Sequence, residues 1–179
     1  MKMQVVAVVG TKKSGKTTTT ENLIRELARR GYRVAAIKHV SEPDFTIDIP
    51  GKDTWRFALA GAKTIISAAA NEVATIEKVT LENLPLETLL KKCRGNDIVL
   101  IEGLKKTVSK KRKLPKIVVV KSMNEAVNAL EVYKPILAFT GPFNTASVGQ
   151  IKIPYADALK SPEKLADIVE KKLLKKQGT

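Results

Sequence analysis

The 179-residue chain carries 32 lysines and arginines against 18 aspartates and glutamates, a formal net charge of +14, and is 44% hydrophobic and 28% charged. That balance excludes a disordered chain, and no apolar run approaches the ~20 residues that cross a bilayer. Cys93 is the one cysteine, which excludes an internal disulfide and a cysteine metal cluster. The N-terminus starts directly in a strand with no signal-peptide hydrophobic region, so the expectation is a cytoplasmic protein. The positive charge calls for an anionic partner: nucleic acid, a phosphate-rich small molecule or an acidic protein. Only 4% of residues are aromatic, which leaves little for base-stacking platforms.

Residues 5–9 (VVAVV) are β-branched and apolar throughout, the pattern of a strand buried on both faces of a parallel sheet. Gly10-Thr11-Lys12-Lys13-Ser14-Gly15-Lys16-Thr17 then fits G-x-x-x-x-G-K-[ST]. Residues 18–30 follow with Leu23, Ile24, Leu27 and Ala28 at helical spacing. Strand, glycine loop and helix stand in the order a phosphate-binding loop needs. Gly10 and Gly15 let the backbone curl around phosphate. Loop amides and the positive helix end suit an anion, Lys16 brings a point charge to the β- and γ-phosphates, and Thr17 offers a hydroxyl to Mg²⁺. For Lys12 and Lys13, phosphate contact and plain surface charge both remain open.

Residues 32–38 (YRVAAIK) predict a second strand, and residues 39–50 a small hairpin or ordered loop. Helical residues 53–59 precede short strands at 63–67 and 73–77, with a turn between them. Pro85 opens a short helix over 86–92. Residues 97–102 (DIVLIE) predict a buried strand, 104–115 a polar, basic, mobile loop, 116–120 a strand, 125–130 a weak helix and 136–140 the last strand. Ser161-Pro162-Glu163 starts a final helix. Strands alternating with helices give an α/β fold with a mainly parallel sheet flanked by helices, in one domain spanning residues 1–179.

Asp97-Ile98-Val99-Leu100-Ile101-Glu102-Gly103 reads as a Walker B-like strand. Its end belongs at the carboxyl edge of the sheet, where α/β folds bind ligands. Glu102 there would hold Mg²⁺ or orient an attacking water, while Asp97, at the far end, is structural. Asp48, Lys52, Asp53 and Arg56 bring two charges of each sign around a Pro-Gly turn. Completion of a Mg²⁺ shell and a turn with an Asp53 helix cap both stay open. His39 is the single histidine and faces the ligand side in a hydrogen-bonding or packing role. The basic stretch from Lys105 to Lys116 holds seven cations and no acid. It reads equally as a clamp for a second phosphorylated ligand and as a polyanion patch.

The loop GTKKSGKTT, Lys38-His39, DIPGKDT over Asp48–Thr54, Ala60-Gly61-Ala62 and IEGLK ending at Lys105 form an ordered set. Together they resemble the MobB family of molybdopterin-guanine dinucleotide biosynthesis proteins. The resemblance runs from Met3 to about Val119. It implies a three-layer P-loop NTPase fold, GTP and Mg²⁺ as ligands, weak GTP hydrolysis and a homodimer. It also implies an accessory role beside a MobA-type nucleotidyltransferase, which attaches GMP from GTP to molybdopterin to give molybdopterin guanine dinucleotide. By motif position Gly10, Thr11, Lys12, Lys13, Ser14, Gly15, Lys16, Thr17 and Thr18 become the nucleotide loop. Lys16 and Glu102 become the catalytic pair, and Thr17, Glu102 and, more loosely, Asp48 the metal residues. The chain departs from the family in Val40-Ser41-Glu42-Pro43, where further histidines are usual, and in its highly charged basic stretch. It also has no N-K-x-D guanine-reading motif. A P-loop kinase of a small phosphorylated metabolite and a nucleic-acid-binding NTPase are the alternatives.

Overall fold

The computed structural model describes residues 2–42, 44–81 and 84–174. Backbone packing divides the chain into two compact units, Met1–His39 with Leu90–Thr179, and Val40–Leu89.

The first unit is built on five parallel strands: β1 (Gln4–Gly10), β2 (Val34–Lys38), β5 (Ile98–Glu102), β6 (Lys116–Val119) and β7 (Ile136–Thr140), in the order β2-β5-β1-β6-β7. The central strand β1 pairs with β5 and β6, so both of its faces must be covered, and Val6, Ala7, Val8 and Val9 are all fully buried. Alternate residues take opposite faces. Val6, Val8, Ile98, Leu100, Ile117 and Val119 pack with Leu23 and Leu27 of α1 (Lys16–Arg29) and Leu165 and Val169 of α6 (Pro162–Val169). The opposite-facing Ala7, Val9, Val99, Ile101, Val118 and Val120 are equally buried. α5 (Met123–Val132), the crossover from β6 to β7, buries Ala126 and Ala129. A sheet with helices around it bears out the expected P-loop class.

Two expectations change here. Residues 104–115 are not a mobile loop, because α4 (Lys105–Ser109) forms within them and buries Val108 completely. Val108 anchors that turn, and Leu114 is buried after it. Lys116, counted with the basic stretch, opens β6 and is fully buried. Its ammonium donates to the carbonyls of Lys111 (2.7 Å) and Lys134 (2.8 Å), which satisfies it without an anion. Asp97 behaves as expected at the end of the sheet remote from the loop. It takes two guanidinium bonds and a backbone N–H from Arg33, which hold its carboxyl at about 2.

The second unit contains α2 (Asp53–Leu59) and the antiparallel pair β3 (Thr64–Ala68) and β4 (Val73–Glu77). The turn expected between these strands is therefore present. No strand forms in the described residues 40–50, so the loop reading holds over the hairpin there, with Pro43 outside the described residues. Asp53 is not the cap of α2. Lys52 occupies that position and Asp53 lies in the first turn. α3 (Leu86–Lys92) spans the junction of the two units.

A charge network fastens α6 to α1. Arg30 donates to Glu26 (2.9 Å), Asp167 (2.7 Å), Glu170 (2.9 Å) and the Glu163 carbonyl (3.1 Å). Hydrogen bonds from Arg29 and then Arg30 hold the Glu26 carboxyl at about 2. A carboxylate with a depressed folded pKa stabilises the fold above its unfolded value and loses that contribution as pH falls through the folded one. Glu26→Gln is therefore expected to be less stable than the parent chain near neutral pH. The gap should narrow as pH drops from about 4.5 towards 2, read as urea midpoints across that range.

Candidate nucleotide-binding site

β1 ends at Gly10, where the loop leaves the sheet beside Val119. A Cβ at Gly10 would stand 2.6 Å from the Val119 carbonyl oxygen and 2.7 Å from Ser14 Oγ, so only glycine lets the loop fold this tightly. Gly15, with φ 95°, turns the loop into α1. No side chain caps that helix, and its first turn holds no acid, leaving an electropositive end suited to an anion.

Ser14 Oγ is buried and makes no hydrogen bond. A buried hydroxyl without a partner is costly, and this one lies inside the loop where a phosphate oxygen would satisfy it. The Lys16 ammonium reaches back to the Thr11 carbonyl at 2.6 Å. Its pKa is lowered first by burial and then by Lys105, with Lys38 and Lys121 adding to the effect and Glu102 opposing it. Four lysines thus surround the loop.

The register of the sheet places Lys38, Glu102 and Val8 side by side. Glu102 faces α1, because it shares the side of Ile98 and Leu100. Thr17 Oγ1 donates to Glu102 Oε1 at 3.0 Å. Lys38 Nζ donates to the same carboxylate oxygen, and lies 3.2 Å from Thr17 Oγ1. The Glu102 side chain is 7% exposed and that of Lys38 51%. An oxygen pair from a helix start and a strand end is a donor set for Mg²⁺, so the residues present fit both a phosphate chain and its metal.

Sequence reasoning named Lys38 only within the Lys38-His39 motif and gave it no role at the site. The signal was the lysine that ends the second strand, and it gained meaning only when β2 proved to neighbour β5. It also missed Glu125. Thr11 Oγ1 donates to Glu125 Oε1 (3.0 Å), while Glu125 Oε2 accepts from the Lys121 amide (2.8 Å). Ser122 caps α5 by accepting from the Glu125 amide, so the Ser-x-x-Glu spacing could have found this helix start. A cavity of about 190 Å³ opens beside Gly10 and Thr11, lined also by Lys105, Val118, Glu125 and Tyr133.

Other expected residues lie further out. Lys12, Lys13 and Thr18 are exposed. The His39 amide donates to the Glu102 carbonyl at 2.9 Å, and its Cβ lies where a Cβ on Gly103 would approach to 3.0 Å. Asp48 belongs to the second unit. There its Oδ1 accepts from Thr54 (2.7 Å) and the Ile49 amide (3.0 Å), and its Oδ2 is buried without a partner.

A family model described as molybdopterin guanine dinucleotide synthesis protein B, MobB, matches residues 5–141. A molybdopterin-guanine dinucleotide biosynthesis adapter protein of Haemophilus influenzae is 38% identical over 103 residues, 56% of this chain and 57% of its own. The adapter protein of Escherichia coli is 36% identical over 95 residues, 51% of this chain and 54% of its own. The match thus spans about half the length of these curated relatives. A crystal structure of molybdopterin-guanine biosynthesis protein B superposes with a TM-score of 0.73 at 26% identity, over 96% of this chain and 99% of that one. Bacillus subtilis MobB gives 0.74 at 24% identity, over 97% and 99%, a likeness of fold. The matched stretch takes in the loop, Lys38, Glu102 and every strand of the sheet, and on that extent the chain belongs to the MobB family.

Proposed function

We propose that this chain binds a guanine nucleotide with Mg²⁺ and hydrolyses it weakly. In this reading it serves as an accessory to a MobA-type nucleotidyltransferase in forming molybdopterin guanine dinucleotide. The observation that carries it is the buried, unpartnered Ser14 hydroxyl at the centre of a loop ringed by Lys16, Lys38, Lys105 and Lys121. A polyanion answers both deficits at once. The pathway and the base come from the family and from the adapter names its members carry.

In this reading Lys16, the loop amides of residues 10–17 and the start of α1 bind the phosphates and stabilise charge building on them. Lys16 gives up the Thr11 carbonyl for phosphate oxygen. Thr17 and Glu102 hold the metal, and bound Mg²⁺ neutralises phosphate charge. Thr11, tied to Glu125, fixes the loop against α5. The whole chain acts as one nucleotide-binding domain in the cytoplasm; among the described residues no helix is long and apolar enough to cross a membrane. The cavity beside Thr11 and Lys105 favours one alternative, a P-loop kinase with its acceptor seated there.

Titration with GTP and ATP in Mg²⁺ buffer tests the reading. Tighter GTP binding is expected; equal affinity for ATP removes the base assignment, and turnover that depends on an added metabolite favours the kinase. Lys16→Ala should weaken nucleotide binding by roughly 30- to 100-fold, the scale of a lost charged hydrogen bond.

A homodimer belongs to the same proposal, and the second unit supports it. Ile66 and Val73 share one face of the β3–β4 pair and are 65% and 69% exposed, with Ile47 at 81%. A two-stranded hairpin with an exposed apolar face and unpaired edges is marginal alone. Ile66→Asp is expected to shift the chain from dimer to monomer in light scattering. A monomeric parent chain overturns this part.

A further inference from the structure

We infer that Lys38 is a tethered cation that holds the metal's place until nucleotide arrives, an inference that rests on the metal and nucleotide reading above. Its ammonium contacts Glu102 Oε1 and Thr17 Oγ1, which themselves stand 3.0 Å apart. These are the two oxygens assigned to Mg²⁺. The ammonium stands at the oxygens the ion would take, so the two like charges repel and compete there.

The two partners are unequal. Glu102 is fixed by its strand and almost wholly withdrawn from water, so its charge demands a cation at all times. Lys38 ends the edge strand β2 with half its side chain in solvent, and its flexible stem can swing away. Lys16 does not take that place, its ammonium donating to the Thr11 carbonyl instead. A bare divalent ion therefore displaces Lys38 from Glu102 and brings no new anion in exchange. A nucleotide changes that balance, because its terminal phosphate gives the displaced ammonium a partner beside the loop. Metal and nucleotide binding are thereby coupled, and Lys38 is the positioning residue that couples them.

The test needs no turnover. Mn²⁺ alone is titrated by electron paramagnetic resonance into the nucleotide-free parent chain, Lys38→Met and Lys38→Arg. Lys38→Met should bind Mn²⁺ about tenfold tighter than the parent or more, and Mn²⁺ should restore its thermal midpoint, while Lys38→Arg stays near the parent. Equal Mn²⁺ affinity in Lys38→Met and the parent overturns the inference. Should Lys38→Met fail to fold, Lys38→Gln takes its place in the same titration, with tighter Mn²⁺ binding than the parent expected and equal affinity overturning the inference. GDP binding is measured in the same samples. Its absence would sink the nucleotide reading, while the Mn²⁺ comparison would still decide the role of Lys38.

Discussion

A carboxylate withdrawn from water at the end of a parallel strand sets the terms for this site. Glu102 is carried to the sheet's carboxyl edge by four aliphatic residues that cannot face solvent, and it arrives where α1 begins. A charge so placed needs a positive partner and a hydrogen-bond donor. Lys38 supplies the first and Thr17 the second. The neighbouring loop has the opposite imbalance, with several ammonium groups and an unanswered hydroxyl around a space shaped by glycine. A negative wall beside a positive cradle is the arrangement that a metal–phosphate pair neutralises on both sides.

The two units carry different burdens. The sheet unit buries the apolar residues of its strands and displays polar chemistry at one edge, and α6 is drawn onto α1 by Arg30 as well as by Leu165 and Val169. The second unit does the reverse. Phe45, Ile47, Ile49, Phe57, Leu59, Ile66, Val73 and Val79 are all exposed. That is the surface the proposed homodimer would cover.

What could be read in the sequence was what local spacing controls. The β1–loop–α1 unit, the DIVLIE strand with its terminal acid, α2, α3 and the β3–β4 turn all depend on residues close in the chain. Contacts across the chain were not legible. Lys38 meets Glu102 only because β2 pairs with β5, and strand order is a property of the whole sheet. Thr11 meets Glu125 across 114 positions. The basic stretch misled for a different reason: its composition is that of a solvated loop, yet α4 forms within it and buries Val108, and Leu114 is buried beyond it. Lys116 likewise hides in a run of cations, and only the carbonyls of Lys111 and Lys134 explain its burial.

Strand β2 lies at the border of the sheet, with a neighbour on one side only, and Lys38 stands directly across from Glu102. Sliding β2 along β5 by a single position would set Ile37 opposite the acid and turn the lysine to the other face. While Lys38 rests on Glu102, the ion pair adds to what holds the outermost strand in its alignment, alongside Val34 packed against the core.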